Sequence, residues 1–146
     1  MEIAMLKTLI AVDGSEHSLH AIEAVARIAN ETMQRQVVLL NVRSGPALLG
    51  DLPSLSLGQI DEAQKKQQDE VLAIALERAR ACGLVVGATR RAEGNAAHEI
   101  VRVAAECKAD QIVLGTRGMG ALGSLFIGSV AQRVVHLAEV PVLLVK

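Results

Sequence analysis

The chain has 146 residues, 51% hydrophobic and 21% charged, with a net charge of −1. That length suits one domain spanning residues 1–146, and that apolar fraction supports a full core rather than a disordered chain. The near-neutral balance, with no basic tail and no lysine or arginine run, argues against a nucleic-acid partner.

No apolar stretch approaches the ~20 residues of a membrane span. Glu2 and Lys7 interrupt the apolar N-terminus where a secretory leader would need a continuous run. Cys82 and Cys107 lack metal-like or Cys-x-x-Cys spacing and read as ordinary buried thiols of a cytoplasmic protein. His17, His20, His98 and His136 are scattered singly on helical segments, so no zinc site is expected. There is no Trp or Tyr, and Phe126 is the only aromatic residue. A bound base would therefore rest on aliphatic side chains and backbone groups, and single-stranded nucleic acid would find no stacking platform.

Lys7 to Val12 is a short β-forming run, expected as the first buried strand. Asp13-Gly14-Ser15 is a turn signal, and either Asp13 or Ser15 can cap the helix that follows. Its apolar face is Ile22, Val25, Ala26 and Ala29, with Asn30 near the stop. Gln36 to Val42 is a second continuous apolar run, hence a strand buried on both faces. Arg43 to Leu57, with Gly45, Pro46, Gly50 and Pro53, has no period and reads as a surface loop, a lid or an insertion.

A long helix is expected from Gly58 to Cys82, with Val71, Ile74, Ala75 and Arg78 on one face and Gly83 ending it. Leu84 to Thr89 is a third strand, Arg90 to Gly94 a turn, and Asn95 the cap of a helix facing inward with Ile100, Val103, Ala104 and Cys107.

Asp110 to Val130 then combines an apolar strand from Gln111 to Leu114, a glycine-rich loop (Gly115, Gly118, Gly120, Gly123) and a helix opening at Gly128-Ser129. Ser129 fits an N-cap with Gln132 in the capping-box position, and Val130, Val134, Leu137 and Ala138 carry helical spacing. A strand, a glycine loop and a helix N-terminus suit phosphate, because the first helical amides lack partners and the dipole favours negative charge. The same glycines also suit a long flexible turn, and the spacing Gly115-x2-Gly118-x9-Gly128-Ser129 is neither a P-loop nor a first-turn dinucleotide fingerprint. Val140 to Val145 is a fifth strand, with Pro141 confined to an edge or a strand start. The order β-α-β-α-β-α-β-α-β indicates an α/β fold with a parallel sheet covered on both faces and right-handed crossovers. Ligands of such sheets bind beyond the carboxyl ends of the strands, where strand order reverses.

Ala11-Val12-Asp13-Gly14-Ser15, the glycine motif and the closing Val140-Pro141-Val142-Leu143-Leu144-Val145 together resemble the ATP-binding branch of the universal stress protein family, from Lys7 to Lys146. The resemblance implies a single-domain, open, twisted, Rossmann-like sheet of five parallel strands in the order 3-2-1-4-5. It implies ATP between strands one and four, accompanied by Mg2+ or Mn2+, in a stress-response signalling module. Ala11 and Val12 would line the adenine pocket, Asp13 would sit at the ribose–phosphate side, and the Val42 backbone would hold the adenine edge. Gly115, Arg117 and Gly118 would bracket ribose and phosphates, and Gly128, Ser129 and Val130 would meet the terminal phosphates. It also implies a homodimer through the fifth-strand edge, Val140 to Val145, and a protein partner that the sequence does not name. A slow ATPase or nucleotide-dependent transferase is the alternative, although the chain carries no Walker lysine, no catalytic-loop signature and no obvious base.

Overall fold

The structure is a computed structural model that describes residues 4–29, 33–45, 57–116 and 127–146. Nine elements alternate: β1 (Ala4–Ala11), α1 (Glu16–Ile28), β2 (Met33–Arg43), α2 (Leu57–Ala81), β3 (Val85–Glu93), α3 (Ala96–Glu106), β4 (Gln111–Gly115), α4 (Ser129–Leu137) and β5 (Val142–Val145). The strands form one parallel sheet in the order β3-β2-β1-β4-β5, as the resemblance implies.

The continuous apolar runs are explained by two cores, one on each side of the sheet. Leu9, Leu40 and Ile112 pack with Ile100 and Val103 of α3 and Val134 of α4. Ile10, Leu39 and Val113 pack with Ile22 and Val25 of α1 and Leu72 and Ala75 of α2. A strand covered on both sides has no polar face to alternate with. Among the described residues no helix is long and apolar enough to cross a membrane.

Three expectations need correction. The predicted turn at Arg90–Gly94 is strand as far as Glu93, because β3 pairs with β2 from Gln36↔Val85 to Arg43↔Glu93. Arg90 and Arg91 are tolerated because β3 is an edge strand. Its ladder is made by backbone, while polar side chains reach solvent or Glu106 and Asp69. The register shifts at Val37/Val38, opposite Val86 and Ala88, which leaves Gly87 as the extra residue of a bulge. The turn itself waits for Gly94, whose φ is +137°.

The packed stripe of α2 is Gln68, Leu72, Ala75 and Ala79, rotated from the predicted face; Ile74 is 58% exposed and Arg78 pairs outward with Glu23. A buried glutamine conceals that stripe from hydropathy. The Gln68 amide donates to the Asn41 and Ala92 carbonyls, both at 3.1 Å, and so belongs inside. Finally, Cys82 and Cys107 are free and half-buried at the ends of α2 and α3 rather than buried, and the His17 and His20 rings meet edge-on with centroids 6.1 Å apart.

Other boundaries follow the sequence closely. Ser15 caps α1, its Oγ accepting the Ser18 N–H, and Asn95 caps α3 by accepting from His98. Gly83 takes φ +82° after α2. Pro141 directly precedes β5 and its carbonyl accepts the Ile112 N–H. The positions read as a surface loop between residues 46 and 56, and Asn30, lie outside the described residues.

Candidate functional site

β1 and β4 are neighbours, and the chain departs from them in opposite directions, to β2 and to β5. The gap above such a pair is where an open α/β sheet forms a crevice. β1 ends at Ala11. The Val12 N–H makes one more rung to the Leu40 carbonyl at 2.8 Å, and the Val12 carbonyl then accepts the Asn41 side-chain amide at 2.8 Å. Asp13, Gly14 and Ser15 turn the chain into α1, with Gly14 at φ +87° and the Ser15 N–H donating to Asp13 Oδ1 at 2.9 Å.

On the other side, the Thr116 N–H donates to the Val145 carbonyl and the Thr116 carbonyl accepts the Gly128 N–H, at 2.8 and 2.6 Å. Thr116 therefore ties the end of β4 both to β5 and to the start of α4. The N-cap of α4 is Gly128, not Ser129, and among the described residues no side chain caps it. Ser129 is the first helical residue, because the Gly128 carbonyl already accepts the Gln132 N–H. Gln132 does not close a capping box; its amide donates to the Ile127 carbonyl at 2.9 Å.

A cavity of about 290 Å³ lies at this end of the sheet. It is lined by eight of the ten residues that the sequence singles out: Ala11, Val12, Asp13, Val42, Gly115, Gly128, Ser129 and Val130. Arg117 and Gly118 lie outside the described residues, as do Gly120 and Gly123. The cavity also takes in Ser15, Ser18, Leu40 and Thr116, together with Ala96 and Ile100 of α3. The α3 contribution carries no motif. Its signal is topological, since every βα turn of a parallel sheet opens at the same end.

Two physical properties define the site. Its walls are aliphatic, and among the described lining residues Asp13 is the one carboxylate and there is no lysine or arginine. The starts of three helices reach the rim, through Ser15, Ala96 and Ser129. Ser15 and Asn95 already satisfy amides of α1 and α3 with their side chains, whereas among the described residues no side chain caps the first-turn N–H groups of glycine-capped α4. The positive end of a helix dipole and the first-turn N–H donors therefore face, from α4, a cavity whose one charged group among the described lining residues is Asp13.

Among the described residues no three His, Cys, Asp or Glu side chains gather as metal ligands. A divalent ion at this site would be held by Asp13 together with phosphate oxygens of a ligand, the arrangement that suits Mg2+, which keeps waters and takes one or two carboxylates beside phosphates.

Comparison with known proteins agrees with this architecture. The model of the universal stress protein family matches residues 5–146. A universal stress protein of Thermus aquaticus is 36% identical over 143 residues, covering 97% of this chain and 100% of its own. The universal stress protein YxiE of Bacillus subtilis is 34% identical over 147 residues, with 96% and 98% covered. Among solved structures, the universal stress protein from Archaeoglobus fulgidus in complex with dAMP superposes with a TM-score of 0.63 at 26% identity, covering 99% of this chain and 100% of that one.

Proposed function

The chain belongs to the universal stress protein family, and on that premise we propose that it is an ATP-binding module whose nucleotide sits in the cavity above β1 and β4. The observation that carries this reading is the uncapped N-terminus of α4 lining the same cavity as Asp13. A phosphate chain finds donors and a favourable dipole there without any basic side chain. The aliphatic residues Ala11, Val12 and Val42 provide the surface on which a base rests in a chain without Trp or Tyr. The relative from Archaeoglobus fulgidus, solved with dAMP, supports an adenine nucleotide as the ligand class.

In this reading Asp13 lies at the ribose–phosphate side and contributes to holding a Mg2+ or Mn2+ ion that arrives with the triphosphate. Gly115, Arg117 and Gly118 border ribose and phosphates. Gly128, Ser129 and Val130 meet the terminal phosphates through backbone N–H groups and the Ser129 hydroxyl. The protein acts by occupancy rather than turnover, because phosphoryl transfer needs a group that orients the nucleophile and Asp13 is the only carboxylate among the described lining residues. ATP then acts by favouring the arrangement it binds best, which a protein partner reads. The functional unit is a homodimer formed through the β5 edge, where Val142 to Val145 stay half-exposed in the single chain.

The test is an ultraviolet spectrum of the purified protein and of its acid supernatant. With no Trp or Tyr the protein is nearly dark at 280 nm, so a 260 nm band in the supernatant that chromatographs as ATP establishes the ligand. A blank supernatant followed by no ATP-induced rise in Tm removes ATP from this site.

A further inference from the structure

We propose that Asn41 is the positioning residue that opens the β2 edge to the base of the ligand; this rests on the nucleotide reading above. β1 and β2 pair in register from Ala4↔Met33 to Ala11↔Leu40. The Val12 N–H to Leu40 carbonyl bond fixes the next step of the ladder. In a continued parallel pair the Val42 N–H would donate to the Val12 carbonyl. That carbonyl instead accepts Asn41 Nδ2 at 2.8 Å. A side chain has replaced a backbone rung.

The substitution has a directional consequence. Along a strand, successive residues turn their N–H and C=O groups to opposite edges. Leu40 bonds toward β1, and Arg43 bonds toward β3 by accepting the Gly94 N–H. Val42 therefore turns both of its backbone groups to the β1 side, where β1 has ended and the cavity begins, and Val42 lines that cavity. Asn41 keeps the Val12 carbonyl satisfied without using the Val42 N–H. Asn41 is itself buried, and its own carbonyl accepts the Gln68 amide, which also grips Ala92 across β3. Three strands and α2 are thus locked at the level where the edge opens.

An adjacent N–H and C=O on one strand edge form a donor–acceptor pair. Adenine presents the complementary pattern at N1 and the 6-amino group. Hypoxanthine presents the opposite one, an N1–H donor and a 6-oxo acceptor. A base-reading Val42 edge therefore discriminates ATP from ITP, whereas the α4 N-terminus does not.

Two measurements on the full-length chain test this. Amide exchange of Val42 in the nucleotide-free protein should be fast and should slow about 10-fold or more with saturating ATP, as expected when a solvated N–H gains a hydrogen bond. Titration calorimetry should show wild type preferring ATP over ITP by about 10-fold or more, because both groups of the Val42 edge lose their partner on hypoxanthine. In Asn41→Ala that preference should fall to within about threefold, mainly through weaker ATP binding. Strong protection of Val42 in the free protein would overturn the proposal with no variant needed, which covers an Asn41→Ala chain that does not fold. So would an Asn41→Ala chain that weakens ATP and ITP equally, or one that keeps the wild-type ratio, since a merely structural asparagine predicts those results. Wild-type protein that binds neither nucleotide overturns the nucleotide reading itself, an outcome distinct from bound ATP with an unchanged ratio.

Discussion

A Cβ on Gly115 would stand 2.9 Å from the carbonyl carbon of His17, closer than side-chain carbons approach backbone. The last residue of β4 and the first turn of α1 touch backbone to backbone. The requirement for glycine here comes from the backbone of α1 packed against the strand end, at a residue that also lines the cavity. Its φ is not among the positive values, which fall at Gly14, Gly83 and Gly94 in the described glycines.

Gly115→Ala should accordingly destabilise the fold by about 1–3 kcal/mol, the usual cost of forcing extra volume into a packed contact. The neighbours at 2.9–3.0 Å are His17 backbone and Cβ, which cannot swing aside as a flexible side-chain end can. Urea unfolding monitored by far-ultraviolet circular dichroism measures the loss. A variant as stable as the parent would show that α1 shifts freely on the sheet.

Thr8 presents the opposite case. It is fully buried in the middle of β1, and its hydroxyl has no hydrogen-bond partner among the described residues. An unsatisfied buried hydroxyl costs about 1–3 kcal/mol, and an apolar group of the same shape removes that cost. Thr8→Val should raise stability by about 1 kcal/mol, read as a higher urea midpoint at unchanged slope. A lower midpoint would reveal a partner for the hydroxyl, such as an internal water.

The Arg43 guanidinium bonds Asp61 at the start of α2 and Glu93 at the end of β3, the latter at 2.7 Å. The hydrogen bond to Arg43, then that to Lys65, holds the Asp61 carboxyl below its ordinary value of 3.8. A depressed folded-state value means that the contribution is complete above the unfolded value and disappears as pH falls through the folded one. The window is thus below about pH 4. Asp61→Asn should lower stability at neutral pH and flatten the acid limb of a stability profile taken from about pH 5 to pH 2.5. Glu106, held low mainly by Arg90, should leave a residual acid loss in that variant. Parallel profiles for variant and parent would mean that the Arg43 network does not persist in solution.

What the sequence disclosed followed from chemistry that is local in the chain. Runs such as Val37 to Leu40 could only be strands covered on both sides, and Ser15 and Asn95 announced the helices they cap. The site was legible where motif and strand end coincide, at Ala11 to Asp13 and at Gly115 and Gly128. What escaped depended on partners distant in sequence. Arg90 and Arg91 belong to a strand because β2 supplies their ladder, and Gln68 is inside because Asn41 and Ala92 supply its acceptors. Ala96 and Ile100 reach the cavity only through the course of the chain from β3 into α3. Ser129 looked like a cap by residue type, yet the helix begins one residue earlier than a serine cap requires.

The ladder joining β1 to β4 is short: Thr8↔Gln111, Leu9↔Ile112 and Ile10↔Val113. By contrast β1 and β2 are matched over eight residues. The sheet thus has a thin seam between a large early half and a small late half, and the cavity opens directly over that seam. A ligand resting on Val12 and Asp13 from one half and on Gly128 and Ser129 from the other bridges them like a rivet. Its presence would be felt less as local rigidity than as resistance of the two halves to being peeled apart.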